Sequence, residues 1–585
     1  MLSWGVCQSL CLRGMLLLAA LLLLAGAPAR IAGEICRAEL AARVASLLAD
    51  GPEDRPRAHF GLLARHGETV LLDVDSRTYT PAASNNKLLT TVSTFLDFPG
   101  VAERATLIGV RDAGADGGFE VCIRGDGDPG LTTASLEAAN VTDKVVEAVG
   151  GSGAHVATVA VDNRLFGGKD AARFFHPPTW EWDDMAYYYG APLSAASLNE
   201  NAARVSVKPG ATIGAPGVLV WSESLDAKVL TVLNDVTTVA GDAAEVDIYL
   251  ETASASYRAV GTIGINATSA PSGHIAIQRP DEYVTATFKA ILENAGVTVA
   301  ATASSCSFDV GRENATVIIP GADQDALYSH LLLTSDNMFT ETFSRLAAVE
   351  ANGGSAVDGD PKTAGVAAVR ASLIAHGVAG DSFQQMDGSG LSRRDMLTPE
   401  ALVETLALVQ DSETYRSYLP VAGESGTLAH RFVDTPLQGR LQAKTGTLTG
   451  VTALSGFMPS AHMDGDIIFS MVVSESTESA SVLRDLFDEI ALLIYDSKVC
   501  GGDCVTDSDC LAGTCTKRGH CKCHAGFSGA TCNNASDNSG NASSTGVIVA
   551  SVVGSLAGGI IIGLTGAIVY TRLRSPPAAE YNAMH

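Results

Sequence analysis

The stretch Pro81–Leu89 reads PAASNNKLL and lies between a strand-like run, Thr69–Val74, and an apolar helical pattern that begins at Leu88. Proline and serine are residue types that favour the start of a helix. Ser84 and Lys87 are three residues apart, so a helix that starts here places them on one face. The positive end of the helix dipole disfavours the ammonium form of a lysine. The pair therefore suits a nucleophilic hydroxyl and its base.

Ser-x-x-Lys arises by chance in a chain of this length, and a serine helix cap beside an exposed lysine is the alternative interpretation. Two further motifs favour chemistry instead. SDN at 335–337 opens a helical pattern, and KTGT at 444–447 lies in a strand pattern that continues to Phe457. The order of the three motifs is that of serine acyl-transfer enzymes.

Each motif supplies groups that attack on an acyl carbon requires. Ser84 is the candidate nucleophile, and Lys87 is its candidate base. Ser335 is suited to pass a proton to the leaving amine, and Asn337 is suited to position the substrate amide. The catalytic set predicted from the sequence is completed by Lys444.

The third motif also provides the predicted substrate-binding strand, through Thr445, Gly446 and Thr447. Lys444 and Thr445 can receive a substrate carboxylate. If Thr447 lies on a strand edge, its backbone N–H can join that of Ser84 in stabilising the developing oxyanion.

With these motifs the chain resembles the class C low-molecular-mass penicillin-binding proteins, the D-Ala-D-Ala carboxypeptidase/endopeptidase family. The resemblance runs from about Ala58 to Val473. It is carried by the following stretches: Pro81–Leu89, Gly125–Pro129, Trp180–Asn201, Ser335–Arg345, Asp387–Pro399, Leu419–Leu428 and Ala443–Gly456.

The resemblance implies an α/β serine acyl-transferase domain of the penicillin-binding protein/β-lactamase type. We expect this transpeptidase-like catalytic domain to comprise residues 30–104 and 311–498. Residues 105–310 contain short β-branched runs separated by Gly, Asp, Asn and Pro, which predicts a strand-rich insertion. Members of the family insert extra domains between the first two motifs, as the position of this segment requires.

The activity implied is that of a serine-type D-Ala-D-Ala carboxypeptidase or endopeptidase that forms an acyl-enzyme at Ser84. Its partners would be peptidoglycan stem peptides or similar D-Ala-containing peptides, with β-lactams as inhibitors. The resemblance further implies that Asp184, Tyr189 and Arg393 approach the pocket for a side chain of the stem peptide. Thr449 falls where a longer polar residue can line that pocket. We expect no cofactor and no metal.

Two other functions are compatible with the sequence. The same acyl-enzyme chemistry could serve an esterase, an amidase or a β-lactamase-like hydrolase. Alternatively, the chain could be a non-catalytic surface receptor that uses the pocket for binding.

Residues 1–29 have the features of a secretory signal peptide. Arg13 precedes an apolar run, Met15–Ala25, and a small-residue cleavage site follows at Ala27–Ala29. An N-terminal membrane anchor is the alternative interpretation.

Residues 547–570 form an uncharged apolar stretch long enough to cross a bilayer as a transmembrane helix. Arg572 and Arg574 follow within the predicted cytoplasmic tail, 571–585, as is typical of a stop-transfer flank. A GPI signal fits less well, because it would end in its apolar tail. The sequence thus predicts a single-pass type I membrane protein of the secretory pathway, with the catalytic domain outside the cytosol.

Six cysteines cluster between residues 504 and 532, in a segment, 500–532, that precedes a polar linker at 533–546. The sequence CKCHAGFSGATC at 521–532 resembles the C-terminal half of an EGF-like module. The disulfides implied by the resemblance are Cys504 with Cys515, Cys510 with Cys521, and Cys523 with Cys532; they would replace a core in so short a module. Zinc ligation that includes His520 or His524 is the alternative.

Four cysteines remain once Cys7 and Cys11 of the signal peptide are set aside. The sequence does not fix their pairing. We expect Cys36 with Cys500, and Cys122 with Cys306.

Sequons and charge describe the surface. Asn-x-Ser/Thr sequons occur at Asn140, Asn266, Asn314, Asn534 and Asn541, consistent with a glycoprotein. Together with the EGF-like module and the membrane span, they are foreign to the bacterial pattern and indicate a eukaryotic surface protein. The net charge of −26 argues against nucleic acid as a partner.

Overall fold

The structure is a computed structural model that describes residues 35–51, 57–114, 117–251, 256–268, 271–498, 500, 513–515, 521–524, 527–528 and 534–535. The chain divides into two units, Met1–Cys500 and Gly501–His585. The predicted signal peptide, membrane span and cytoplasmic tail lie outside the described residues. Within the described ranges, none of the helices combines the length and the apolar character needed to cross a bilayer.

The strands of the first unit are, in chain order, β1 (Ile35–Cys36), β2 (His59–His66), β3 (Thr69–Val74), β4 (Ala105–Asp112), β5 (Phe119–Arg124), β6 (His155–Asp162), β7 (Ala202–Lys208), β8 (Val218–Trp221), β9 (Val232–Val239), β10 (Ala244–Glu251), β11 (Ser256–Gly264), β12 (Ser272–Ala276), β13 (Thr298–Ala303), β14 (Val317–Pro320), β15 (Phe383–Gln384), β16 (Met396–Leu397), β17 (Gln442–Leu448), β18 (Val451–Pro459), β19 (Asp466–Ser474) and β20 (Ser497–Lys498).

The α-helices are α1 (Arg37–Ala49), α2 (Asn86–Asp97), α3 (Thr133–Ala138), α4 (Val141–Ala148), α5 (Asp226–Val229), α6 (Pro280–Asn294), α7 (Gln324–Thr334), α8 (Asn337–Ala351), α9 (Pro361–Ala375), α10 (Pro399–Ala407), α11 (Glu413–Ser417) and α12 (Ala480–Tyr495).

The core of the first unit is a five-stranded antiparallel sheet in the order β17-β18-β19-β2-β3. The strands β2 and β3 thus complete a sheet whose other members lie more than 300 residues later. Residues Val451 to Met458 of β18 are all buried, because helices cover both faces of the sheet. The helices α1 and α12 supply apolar side chains to one face, and α2 and α10 supply them to the other. This is the α/β arrangement predicted for the catalytic domain.

The insertion contains a mixed five-stranded sheet in the order β13-β6-β5-β4-β14 and two three-stranded sheets, β12-β7-β8 and β10-β11-β9. All three contribute to one apolar core, to which α6 adds Tyr283, Val284 and Phe288. The insertion sheet extends past the boundary expected at residue 310. The strand β14, Val317–Pro320, pairs with β4, so the insertion sheet continues about ten residues further. A strand this short is recognisable only by its partner.

Two disulfides close this unit, and both are the pairs that we expected. Cys36 and Cys500 are joined with a Cα–Cα distance of 5.4 Å, beside the parallel pairing of β1 with β20. Cys122 and Cys306 are joined with a Cα–Cα distance of 5.6 Å and link β5 to the segment after β13. The first disulfide ties together two parts of the chain separated by 464 residues.

The second unit is described at four short strands, β21 (Gly513–Cys515), β22 (Cys521–Cys523), β23 (Phe527–Ser528) and β24 (Asn534–Ala535). The strand β21 pairs with β22, and β23 pairs with β24, both antiparallel. Cys523 is disulfide-bonded. The predicted pairings within 504–532 each include residues outside those described, so the EGF-like module stays a prediction.

Candidate active site

Ser84 lies in a 3₁₀ turn, Ala83–Asn85, directly before α2. The preceding residue, Ala83, has φ of 48°, a left-handed conformation that costs an alanine about 1–2 kcal/mol. The strand β17 packs against this turn: a Cβ on Gly446 would lie 2.7 Å from the carbonyl oxygen of Ala82. Only glycine fits there, so the third motif reaches the first through close backbone packing. Backbone strain such as that at Ala83 is typical of active sites.

Lys87 is fully buried, and its Nζ donates to three groups of the site. The Ser84 Oγ lies 3.0 Å away, the carbonyl oxygen of Ser389 lies 2.8 Å away, and the third acceptor is Oδ1 of Asn337. Burial lowers the pKa of Lys87 to about 8, against the opposing effect of nearby carboxylates, of which Asp387 is the strongest. Lys87 can therefore lose its proton near neutral pH and accept one from Ser84.

Ser335 and Lys444 form the second half of the site. The Nζ of Lys444 donates to Ser335 Oγ at 2.8 Å and to the carbonyl oxygen of Thr445 at 2.7 Å. Burial, with a further contribution from the charge of Lys87, lowers the pKa of Lys444 well below its usual value. Two lysines in one dry site disfavour each other's charge, so the fully protonated state is unfavourable until an anion enters.

The SDN motif forms the junction between α7 and α8. Ser335 ends α7 in the left-handed conformation, with φ of 63°. Asp336 caps α8 by accepting from the backbone N–H of Phe339 at 2.8 Å. Asn337 donates through Nδ2 to the carbonyl oxygen of Tyr189 at 2.8 Å. The junction thus aims Ser335 at Lys444 while Asn337 meets Lys87.

The predicted substrate-binding residues of the third motif lie on an edge strand, since β17 is the outermost strand of its sheet. Thr445 donates to Oγ1 of Thr427 at 2.8 Å. Thr447 is exposed and is paired in register with Thr452 of β18. An edge strand leaves backbone groups available to a bound peptide. The structure therefore brings Thr445, Gly446 and Thr447 together with the nucleophile turn.

The loop Asp387–Gly390 is held by buried carboxylates that the sequence reasoning missed. Glu341 Oε1 accepts from the backbone N–H groups of Gly388 and Ser389, both at 2.8 Å. Burial raises the pKa of Glu341 to about 7. Glu341 thereby fixes the Ser389 carbonyl that receives Lys87. The sequence held one indication that Glu341 belongs to the site. Glu341 follows Asn337 by four residues and so lies on the same face of α8.

The carboxylate of Asp387 orders the same loop. Its Oδ1 accepts from the backbone N–H of Gly390 at 2.7 Å, and its Oδ2 accepts from that of Ser392 at 2.7 Å. Trp180 of the insertion donates to Oδ2 through Nε1 at 2.9 Å. The insertion is thus fastened to the catalytic domain at the loop that carries Ser389, whose carbonyl oxygen accepts from Lys87.

The three residues implied for a side-chain pocket also lie together. Asp184 is hydrogen-bonded to Tyr189, and burial raises the pKa of Asp184 to about 6, with Arg393 opposing that rise. Arg393 donates to the carbonyl oxygen of Thr449 at 2.8 Å and lies 3.7 Å from Glu181. These groups adjoin the catalytic residues at Asn337, which donates to the carbonyl oxygen of Tyr189.

A further group beside the SDN motif was not predicted. His330 Nε2 lies 3.2 Å from Oε1 of Glu200 and 3.7 Å from Oδ2 of Asp336. The ligand atoms of these residues lie within 4.8 Å of one another, a spacing that a divalent cation could also use. The two carboxylates raise the pKa of His330 to about 10, which favours the imidazolium, a form that cannot ligate a metal. We therefore interpret the group as an ion triad.

The chain is similar to known proteins over most of its length. The profile of the D-Ala-D-Ala carboxypeptidase 3 (S13) family matches residues 40–494. "Penicillin-sensitive carboxypeptidase A" of Dictyostelium discoideum is 28% identical over 444 residues, which cover 71% of this chain and 82% of that protein. A D-alanyl-D-alanine carboxypeptidase of Actinomadura sp. (strain R39) is 28% identical over 60% of this chain and 65% of its own length.

Among solved structures, penicillin binding protein 4 (dacB) from Haemophilus influenzae superposes with a TM-score of 0.64. The superposition covers 77% of this chain and 99% of that one, at 18% identity. It confirms the penicillin-binding-protein-like fold predicted from the sequence. Because the family profile spans most of the chain, including all three motifs, this protein belongs to the D-Ala-D-Ala carboxypeptidase 3 (S13) family.

Proposed function

We propose that the chain hydrolyses peptides ending in D-Ala-D-Ala, such as peptidoglycan stem peptides, through an acyl-enzyme at Ser84. The observation that supports this most is the position of Lys87, whose buried Nζ lies 3.0 Å from the Ser84 hydroxyl. The name of one relative, a D-alanyl-D-alanine carboxypeptidase, points to the same substrate.

In the acylation step, Ser84 Oγ attacks the carbonyl carbon of the penultimate D-Ala, and its proton passes to the neutral Lys87. Lys444 and Thr445 receive the terminal carboxylate, whose negative charge raises the pKa of Lys444 and restores its ammonium form. The backbone N–H groups of Ser84 and Thr447 stabilise the oxyanion.

Collapse of the tetrahedral intermediate breaks the peptide bond. The leaving amine takes a proton through Ser335, which is hydrogen-bonded to Lys444. Terminal D-Ala then departs. A water molecule attacks the ester at Ser84, and the shortened peptide leaves with a new carboxylate while Ser84 regains its proton.

Turnover of a defined peptide tests this proposal. The full-length protein is incubated with a stem pentapeptide ending in D-Ala-D-Ala, with the same peptide ending in D-Ala-L-Ala, and with a simple ester. We expect release of D-Ala from the first peptide at a rate well above hydrolysis of the other two. Turnover of the ester alone would indicate an esterase, and tight binding without turnover would indicate a receptor.

Acylation should depend on pH through Lys87. Its pKa is about 8, and only the neutral amine can accept the Ser84 proton. The second-order rate of labelling by a fluorescent penicillin should therefore rise about tenfold per pH unit below that pKa and level off above it. Measurement from pH 6 to 9.5 checks this. A rate that stays constant or falls with pH over this range would contradict the role of Lys87 as base.

His330→Gln should slow acylation, because it removes the cation that faces Glu200 and Asp336. Loss of a charge-assisted contact at the α8 cap should loosen Ser335 and Asn337 and lower the labelling rate about tenfold. His330→Lys, which keeps the positive charge, should restore part of the lost labelling rate. The matched control is His376→Gln, since His376 pairs with Asp97 at 3.0 Å and is 38% exposed, against 36% for His330. Equal effects of the two glutamine variants would refute a positioning role.

We also propose that the catalytic unit faces away from the cytosol. The disulfides Cys36–Cys500 and Cys122–Cys306 support an oxidising compartment. The sequon residues Asn140, Asn266 and Asn314 are exposed, as glycosylation requires. A mobility shift of the protein on treatment with an N-glycosidase, when expressed in a eukaryotic cell, would support this; an unchanged mobility would argue against glycosylation.

A further inference from the structure

Four rings form a continuous row beside the active site. The ring of Tyr187 stacks on that of Tyr189, with centroids 5.5 Å apart. Tyr189 meets Tyr188 edge to face at 5.6 Å, and Tyr188 stacks on His274 of β12 at 4.3 Å with an interplanar angle of 12°. We call these four residues the aromatic row.

The row begins at the catalytic groups. The carbonyl oxygen of Tyr189 accepts from Asn337, whose Oδ1 accepts from Lys87. At the other end of the same segment, Trp180 is bound to Asp387. The segment 181–188 is therefore fastened on both sides to residues that contact Lys87 or its loop. A ligand on this segment would be continuous with a substrate at Ser84.

The segment is also bound by residues of the insertion sheets. Tyr257 donates to the carbonyl oxygen of Ala186 at 2.7 Å, and Gln278 donates to that of Met185 at 2.7 Å. An isolated bridge joins Tyr187 to Ile275 of β12. The insertion thus presents the rings on a fixed support, which lowers the entropy cost of binding.

The faces of the segment are open to solvent. Trp182 is 61% exposed, Tyr187 is 43% exposed and Tyr188 is 44% exposed. Single exposed apolar residues are ordinary, but Tyr187 and Tyr188 belong to a row of contacting rings, and Trp182 precedes them in the same segment. Exposed aromatic clusters are typical of binding sites.

The charge of the segment restricts the occupant. Residues 180 to 190 contain Glu181, Asp183 and Asp184 and no Lys or Arg. The segment itself therefore disfavours anionic ligands, although Arg393 lies 3.7 Å from Glu181 at its border. A neutral sugar fits better, because the C–H face of its ring packs on aromatic rings and its hydroxyls can donate to the flanking carboxylates. In peptidoglycan, a stem peptide is joined at its N-terminus to neutral N-acetylated sugars.

We propose that Trp182, Tyr187 and Tyr188 bind the N-acetylated glycan attached to the stem peptide, next to the stem-peptide side chain expected at Tyr189, so that glycan-linked peptides are preferred to free ones. This inference rests on the proposed peptidase function. It concerns a part of the substrate remote from the scissile bond, and it assigns a role to the insertion.

The test compares two substrates on the full-length protein. One is a stem pentapeptide ending in D-Ala-D-Ala, and the other is the same peptide carrying an N-acetylated disaccharide at its N-terminus. We expect a lower KM for the second. Trp182→Ala and Tyr188→Ala should each raise that KM roughly five- to tenfold, as expected for loss of one aromatic stacking contact. The KM for the free peptide should change little. Tyr249→Ala, which removes an exposed tyrosine of β10, is the matched control.

Equal KM values for the two substrates in the unaltered protein would overturn the inference. So would variants that impair both substrates equally, because the residues would then support the catalytic site and not the glycan. Failure of the proposed function has a different signature: neither peptide would be turned over by the unaltered protein, and the inference would fall with it.

Discussion

Ser84→Ala is expected to abolish covalent labelling of the protein by a fluorescent penicillin and to stop release of D-Ala. The Ser84 hydroxyl lies 3.0 Å from the Lys87 amine that serves as its base, at the position where the acyl bond would form. Removal of a nucleophile of this kind lowers kcat by about 10⁶. The thermal unfolding midpoint should stay close to that of the unaltered protein, because alanine tolerates a 3₁₀ turn. Labelling in gel and D-Ala release measure the two effects.

The helix itself provides the control. Ser93 lies on α2, is fully buried, and has a hydroxyl without a hydrogen-bond partner among the described residues. Ser93→Ala should leave both labelling and turnover intact. If the Ser84→Ala protein remained folded and was still labelled at the normal rate, another residue would have to be the nucleophile.

Lys87→Met should lower the rate of acylation by about 10²–10⁴, the contribution of a well-placed general base. Methionine has a similar length and is compatible with a buried site, so the variant should remain folded. The rate that remains should lose its rise with pH, because the group that titrates has gone. Stopped-flow or quenched labelling over pH 6 to 9.5 measures both effects.

Substitution of a second buried lysine is the control for Lys87→Met, because it shows whether loss of any buried lysine would lower the acylation rate. Lys362 lies on α9 and is 7% exposed. Lys362→Met removes a buried lysine side chain outside the three motifs, and we expect a normal rate with a normal pH profile. A Lys87→Met protein whose pH profile still matched that of the unaltered protein would show that another group accepts the proton.

Local signals were sufficient for the parts of the site that adjoin each other in sequence. Ser84 and Lys87 are one helical turn apart, and the pattern after Leu88 indicated the helix that carries them. The strand pattern after Lys444 likewise indicated β17. The position of β17 at the sheet edge, however, depends on pairing with β18, while on its other side an isolated bridge joins Gln442 to Val421.

Long-range contacts account for what the sequence did not reveal. Glu341 acts on the backbone of Gly388, and His330 faces Glu200 across the boundary between the catalytic domain and the insertion. Carboxylates and histidines in a chain of net charge −26 give no sign of which few are buried or paired. Tertiary packing makes that selection, and it also moved the end of the insertion from residue 310 to Pro320.

The site contains two buried lysines, and the substrate supplies a carboxylate to it. Neither Lys87 nor Lys444 has a carboxylate among its direct hydrogen-bond partners in the described residues. Their burial lowers both pKa values, which prepares one amine as a base and leaves the other to be charged by the substrate. A peptide lacking its terminal carboxylate should therefore react slowly.

Mass spectrometry of the protein after incubation with benzylpenicillin detects acylation of Ser84 directly. We expect a single adduct with the mass of the intact antibiotic, located by proteolytic mapping on the peptide that contains Ser84. No covalent adduct, or an adduct carried by Ser335 or by another residue, would contradict it.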